Sequence, residues 1–190
     1  MSQDSLNFDT DVIIVGAGPI GMTTACALQH HGVRCRIFEE RKEPKEYSRA
    51  NNVWARTQEL LASIGLRDVL AEQAYQIEKQ TVFLDGQPLD QVKLDEVDSP
   101  YPKVLYSGQD VIEKTLSEQI ARRGGSVERD RKVVSIEQDD EGIYVTVVTA
   151  SDEQANAKPQ RLRCRYVVGA DGYEGTIRKA VGLDFETEKI

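Results

Sequence analysis

Apolar runs, helical-period faces and alternating stretches succeed one another along the chain, and each predicts a different element. The unbroken run Val12-Ile13-Ile14-Val15 reads as a strand buried on both faces. A helix over residues 22–30 and a second strand over 34–38 follow it. Residues 41–48 are charged, contain Pro44 and read as a loop. Residues 55–64 place Leu60, Leu61 and Ile64 on one helical face, with Gly65 as the stop, and a short helix is expected over 66–73. Residues 81–84 and 89–94 flank Asp85-Gly86-Gln87-Pro88 and predict a hairpin, which suggests that the chain leaves its first sheet to begin a second layer. A short strand over 104–106 leads into a helix over 107–123, where Ile112, Leu116 and Ile120 recur every four residues before Gly124-Gly125. Residues 132–138 and 143–149 predict another hairpin, and 151–159 a polar excursion. One last strand is expected over 162–169 and one last helix over 176–181. The chain has no internal repeats and no low-complexity tracts.

Between the first strand and first helix lies Gly16-Ala17-Gly18-Pro19-Ile20-Gly21. Such a loop cradles phosphate: Gly16 allows the tight turn, Gly18 lets backbone approach a pyrophosphate, Gly21 lets helix and strand pack closely, and the helix N-terminus offers N–H groups to the anion. Gly16, Gly18, Pro19, Ile20 and Gly21 are therefore candidate cofactor contacts. The second strand ends in Glu39-Glu40, about 20 residues on, where a carboxylate can accept hydrogen bonds from a ribose diol and repel a 2′-phosphate. That combination points to FAD or NAD rather than NADP. Neighbours on a strand face opposite ways, so one of the two acids does this. The later one, Glu40, lies nearer the carboxyl edge and is the expected ribose acceptor, which leaves Glu39 as a solvated charge.

Composition narrows the classes. The 190 residues suffice for one domain with a real core, and a net charge of −8 argues against a nucleic-acid surface. The basic run at residues 129–132 reads as a solvated loop end. No signal-like h-region and no membrane span appear. Cys26, Cys35 and Cys164 are too scattered for a disulfide framework or a metal site, which implies a reduced, cytoplasmic setting. His30 and His31 close the first helix, where a cation suits the dipole.

Further along, Val167-Val168-Gly169-Ala170-Asp171-Gly172, followed by Arg178, delivers a carboxylate and a glycine to a sheet's carboxyl edge. With the opening cradle, and with Ile37-Phe38-Glu39-Glu40-Arg41, Ser48-Arg49-Ala50, Arg56-Thr57-Gln58-Glu59-Leu60-Leu61, Ile64-Gly65-Leu66 and Tyr106-Ser107-Gly108-Gln109, nearly the whole chain resembles one family. These are the flavoprotein aromatic hydroxylases, the single-component FAD monooxygenases typified by para-hydroxybenzoate hydroxylase and the phenol hydroxylases. The resemblance implies an α/β, Rossmann-like FAD-binding domain with inserted antiparallel hairpins, truncated before the substrate domain. Residues 1–190 would be that domain, and 78–106 the start of a substrate-side sheet. It also implies FAD as cofactor, NAD(P)H as electron donor, and hydroxylation of a small aromatic substrate through a flavin C4a-hydroperoxide. By the same likeness Glu40 and Arg41 serve the adenosine ribose, Arg49 lies against the FAD, Gln109 contacts it, the Val133 backbone meets the adenine, and Asp171-Gly172 takes part in FAD and NAD(P)H binding. The serine often found in that last motif is Gly175 here. The family's later Gly-Asp motif and substrate cavity do not appear, so the chain alone is expected to lack a complete active site. The flavin carries the chemistry, and no catalytic acid, base, nucleophile or metal ligand is assigned. An NAD-dependent dehydrogenase would share the cradle but continue a parallel wind. A related FAD-dependent reductase, a halogenase or a non-catalytic dinucleotide-binding module remain as alternatives.

Overall fold

The computed structural model describes residues 8–44, 52–152, 158–173, 175–184 and 186. In chain order, β1 (Val12–Val15), α1 (Pro19–His30) and β2 (Cys35–Glu39) come first. Then come β3 (Asn52–Val53), α2 (Ala55–Ser63), α3 (Arg67–Ala71), β4 (Tyr75–Ile77), β5 (Lys79–Leu84), β6 (Gln87–Lys93), β7 (Val104–Tyr106) and α4 (Gln109–Arg122). The chain closes with β8 (Val127–Arg129), β9 (Arg131–Gln138), β10 (Ile143–Thr149), β11 (Gln160–Cys164), β12 (Tyr166–Gly169) and α5 (Thr176–Ala180). Two compact units result, Met1–Pro44 with Leu116–Ile190, and Lys45–Thr115.

The first unit holds a parallel sheet in the order β12-β1-β2-β8 and an antiparallel sheet in the order β11-β10-β9. β1 is apolar at every position because it lies inside the parallel sheet with both faces covered, and all four of its residues are buried. Gly21, Met22, Ala25 and Cys26 form the buried stripe of α1. In α4, Leu116 and Ile120 are buried, and the Cys26 thiol points to the Leu116 carbonyl. The main core joins Ile13, Val15 and Phe38 to Val133, Val145, Val147, Leu162, Cys164 and Ile177. It draws on both sheets and on α5.

Three expectations change here. The single last strand is two: Arg165 and Tyr166 both donate their N–H to the Asp11 carbonyl, at 3.0 and 3.1 Å. That junction passes the chain from β11, antiparallel to β10, into β12, parallel to β1. The basic run at 129–132 is no loop end, since Arg129 closes β8 in register with Glu39 and Arg131 opens β9. The third change lies in α2, where Leu61 is 4% exposed but Leu60 is 55% exposed. Helical spacing put the two leucines on one face, yet they are 100° apart and only Leu61 and Ile64 reach the core.

The second unit contains a three-stranded sheet, β3-β7-β4, and the β5-β6 hairpin. Gln58 of α2 is fully buried and ties the unit together. Its side-chain amide donates to the carbonyls of Val53 and Lys103 at 3.0 and 2.7 Å, and its oxygen accepts from Arg67 at 3.4 Å. Among the described residues no helix is long and apolar enough to cross a membrane.

Candidate functional site

The carboxyl ends of β1, β2 and β12 meet in the first unit. The Gly16 N–H donates to the Phe38 carbonyl at 2.8 Å, and the Ala170 N–H to the Val15 carbonyl at 2.7 Å, which pins both neighbouring strands to the turn after β1. Gly16 has φ +100°, and a Cβ there would lie 2.3 Å from the Ala170 oxygen. A Cβ on Gly21 would lie 2.0 Å from the Gly16 oxygen. Only glycine fits these two positions, because strand, turn and helix press backbone against backbone. Gly18 differs, since a Cβ there would meet nothing within 4 Å. It is the N-cap of α1, Pro19 supplies the preset φ of the first turn, and Ile20 is 75% exposed. No side chain caps this helix and its first turn holds no acid. Its first N–H groups and the positive end of its dipole are open to an anion from outside.

The acid turned toward this cradle is Glu39, buried rather than the solvated charge expected of it. Glu39 is 7% exposed, and its carboxylate accepts the Ala17 N–H at 2.9 Å and the Arg41 N–H at 3.0 Å. The Arg41 guanidinium stands 3.8 Å from it. The Glu40 side chain is 57% exposed and pairs with Lys132 of β9 at 3.8 Å. Strand parity explains the exchange. Cys35, whose thiol reaches the Ala25 carbonyl, starts the set of side chains facing α1, and that alternation runs through Ile37 to Glu39. Phe38 points instead into the core beneath the antiparallel sheet, and Glu40 continues on its side. The missed signal was that alternation, counted from the apolar residues of the strand rather than from its end.

Beyond β12, Asp171 accepts the Ile177 N–H at 3.1 Å and so caps α5, and Gly172 follows with φ +87°. A Cβ on Gly175 would lie 2.3 Å from the Asp171 carboxylate. The glycine that replaces the expected serine thus leaves room for the capping carboxylate. Val133, on the edge strand β9, is 3% exposed and its side chain belongs to the core. The residue after it, Val134, is bulged out of the β9–β10 ladder. Gln109 opens α4 in the second unit, where its amide donates to Glu113 at 2.6 Å. Arg49 lies outside the described residues. The first unit therefore brings Gly16, Gly18, Pro19, Ile20, Gly21, Glu39, Arg41, Asp171 and Gly172 to one sheet edge. An uncapped helix N-terminus, open space above Gly18 and a buried carboxylate beside them fit a dinucleotide.

The thiols lie apart from this chemistry. Cys26 and Cys164 are buried, and burial raises both, each to about 11. Burial also raises Cys35. All three are free, and no cluster suited to a metal ion occurs among the described residues.

The family model described as "FAD binding domain" matches residues 9–190. The chain is 34% identical over 175 residues to the 12-dehydrotetracycline 5-monooxygenase/anhydrotetracycline 6-monooxygenase of Streptomyces rimosus, covering 92% of this chain and 33% of that protein. It is 35% identical over 178 residues to the rifampicin monooxygenase of Streptomyces venezuelae, covering 94% and 35%. Among solved structures, the anhydrotetracycline hydroxylase from Streptomyces rimosus superposes with a TM-score of 0.79 at 33% identity, over 95% of this chain and 35% of that one. The chain spans about a third of the length of the curated relatives it matches.

Proposed function

The chain belongs to the FAD-binding domain family, and from that premise we propose that it is the FAD-binding portion of an NAD(P)H-dependent flavoprotein monooxygenase that hydroxylates a small aromatic substrate. The observation that carries this reading is the buried Glu39 carboxylate, fixed by the Ala17 N–H beside the open N-terminus of α1. Gly16, Gly18, Pro19, Ile20 and Gly21 hold the pyrophosphate. Glu39 takes the adenosine ribose, with Arg41 beside it, in the role first expected of Glu40. The backbone at Val133 meets the adenine, Arg49 and Gln109 serve the flavin-proximal portion, and Asp171-Gly172 links FAD and NAD(P)H binding. A bound flavin would supply the redox chemistry, the passage of electrons from a nicotinamide to dioxygen, with one oxygen atom entering an electron-rich ring and the other leaving as water. This chain's residues bind, orient and exclude water. Residues 1–190 act as the FAD-binding domain, and 78–106 begin a substrate-side sheet. The relatives are named as monooxygenases acting on tetracycline intermediates and rifampicin, which supports an aromatic substrate class. The three unpaired thiols favour a cytoplasmic setting.

Titration of FAD into the purified chain, read by flavin fluorescence, tests this reading. Glu39→Gln is expected to weaken binding by about 1.5–3 kcal/mol, the worth of a hydrogen bond to a charged group, while Glu40→Gln leaves it near the parent value. Absence of saturable FAD binding overturns the reading, and an equal loss in both variants overturns the role given to Glu39.

A further inference from the structure

Asp130 stands between the two sheets of the first unit, after β8 and before β9, with φ +57°. An aspartate tolerates this left-handed conformation, but keeps it only where its surroundings hold it there. Three segments do so. The Asp130 N–H donates to the Arg41 carbonyl at 3.3 Å, and the Asp130 carbonyl accepts the Ala150 N–H at 3.0 Å. Its carboxylate accepts the N–H and the hydroxyl of Ser151 at 2.8 and 2.7 Å. The Ser151 hydroxyl, together with the Ser151 N–H, Lys42 and Arg131, holds this carboxyl below the usual carboxylate range. It is therefore ionised at neutral pH and bonds as a charged acceptor.

The bond to Arg41 matters because of where it leads. β2 ends at Glu39, and residues 40–41 turn so that the Arg41 N–H reaches back to the Glu39 carboxylate at 3.0 Å. The same carboxylate accepts the Ala17 N–H of the glycine loop at 2.9 Å. In the β2–β8 register Glu39 lies opposite Arg129, so Asp130 is the first residue past that pairing. From there its N–H fastens the carbonyl side of Arg41, while Glu39 holds the N–H side. Ser151, Asp130, Arg41, Glu39 and Ala17 thus form one hydrogen-bonded series from an exposed loop to the glycine turn. Members of one such network are energetically coupled, and an acceptor fixed in advance loses less freedom when a ligand arrives.

We propose that Asp130 is a positioning residue for dinucleotide binding, which fastens the turn after β2 and thereby fixes the Glu39 carboxylate toward the adenosine ribose. The assignment rests on the FAD-binding reading above and adds to it a residue outside the cradle. Calorimetric titration of the 190-residue chain with ADP tests it, because ADP carries the ribose and both phosphates without the flavin. Asp130→Gly keeps the left-handed backbone and deletes the carboxylate. ADP affinity is expected to fall by about three- to tenfold, the size of couplings within one hydrogen-bond network, with the circular dichroism spectrum unchanged. Asp130→Asn tolerates the same φ and still offers Ser151 an acceptor oxygen, so it should stay within about twofold of the parent. In a Glu39→Gln background the same Asp130→Gly change should cost less than about twofold, since the carboxylate it positions is gone. A general structural role would instead give equal losses in both backgrounds, and that result overturns the proposal, as does an Asp130→Gly variant with parental ADP affinity. Should Asp130→Gly not fold, Ser151→Ala carries the same comparison from the other end of the series without altering the left-handed residue. The two readings fail separately: ADP and FAD bound by the parent but insensitive to Asp130→Gly overturn this role alone, whereas a parent that binds neither overturns the cofactor reading.

Discussion

At Gly18 a methyl group would meet no atom within 4 Å, while at Gly16 and Gly21 it would lie 2.3 and 2.0 Å from backbone oxygens. Three glycines of one motif therefore answer to two different forces. Gly16 and Gly21 are demanded by the protein's own packing, and Gly18 by whatever approaches from outside. With φ −77° at Gly18, alanine fits the local backbone. Gly18→Ala is expected to keep or raise stability, by up to about 0.4–1 kcal/mol through the unfolded chain, yet to weaken FAD binding. Gly16→Ala and Gly21→Ala should each destabilise the fold by about 1–3 kcal/mol or more, because the obstructing atoms are backbone and cannot rotate away. Urea unfolding paired with FAD titration checks both halves, and a Gly18→Ala variant with parental FAD affinity would remove the argument for that residue. Glu39 makes the complementary point. Its carboxylate is placed by strand parity and held by two backbone N–H groups, so its position is set before any ligand arrives.

Elements add a constraint that single residues do not carry, namely which side of a helix or strand finds a partner. In α2 the adjacent leucines separate, with Leu61 packed and Leu60 in solvent. Leu61→Ala is expected to cost about 2–5 kcal/mol by leaving a cavity, whereas Leu60→Ala should stay within about 0.5 kcal/mol. Comparison of urea midpoints decides this, and equal effects would mean that the face of α2 is misassigned. The passage from β11 to β12 shows the same principle in strands. The segment's apolar pattern is continuous, but one carbonyl of Asp11 collects the N–H groups of Arg165 and Tyr166, and the chain changes sheets there.

At the scale of the whole molecule, the first unit's core joins two sheets of opposite kind and leaves two thiols buried beside it or within it. Folding raises Cys26 and Cys164 from 9.0 to about 11, since burial disfavours the thiolate. A folded-state value above the unfolded one means that the folded chain holds its protons more tightly. The resulting stability is fully present below about pH 9 and is lost as pH rises through about 11. The urea midpoint should therefore fall between pH 8.5 and 11, and fall less in a Cys26→Ala/Cys164→Ala variant, which lacks these two thiols. A variant with the same pH dependence as the parent would assign the loss to other groups.

Much of this protein is legible in its sequence because the signals are local. The apolar run of β1, the glycine turn and α1 depend on backbone geometry within a few residues, and they lie where periodicity and turn chemistry put them. Both antiparallel hairpins are local in the same sense, although Gln87 and Pro88, expected in the turn of the first, pair with Leu84 and Phe83 in its ladder. The short strands β3, β4 and β8 carry too few residues to show a period, and only pairing with distant partners makes them strands. The choice of Glu39 over Glu40 was decided at the same long range. Both acids suit the chemistry, but the packing of Phe38 against Val133, Val145 and Val147 fixes which way β2 faces, and so which carboxylate turns toward the glycine loop.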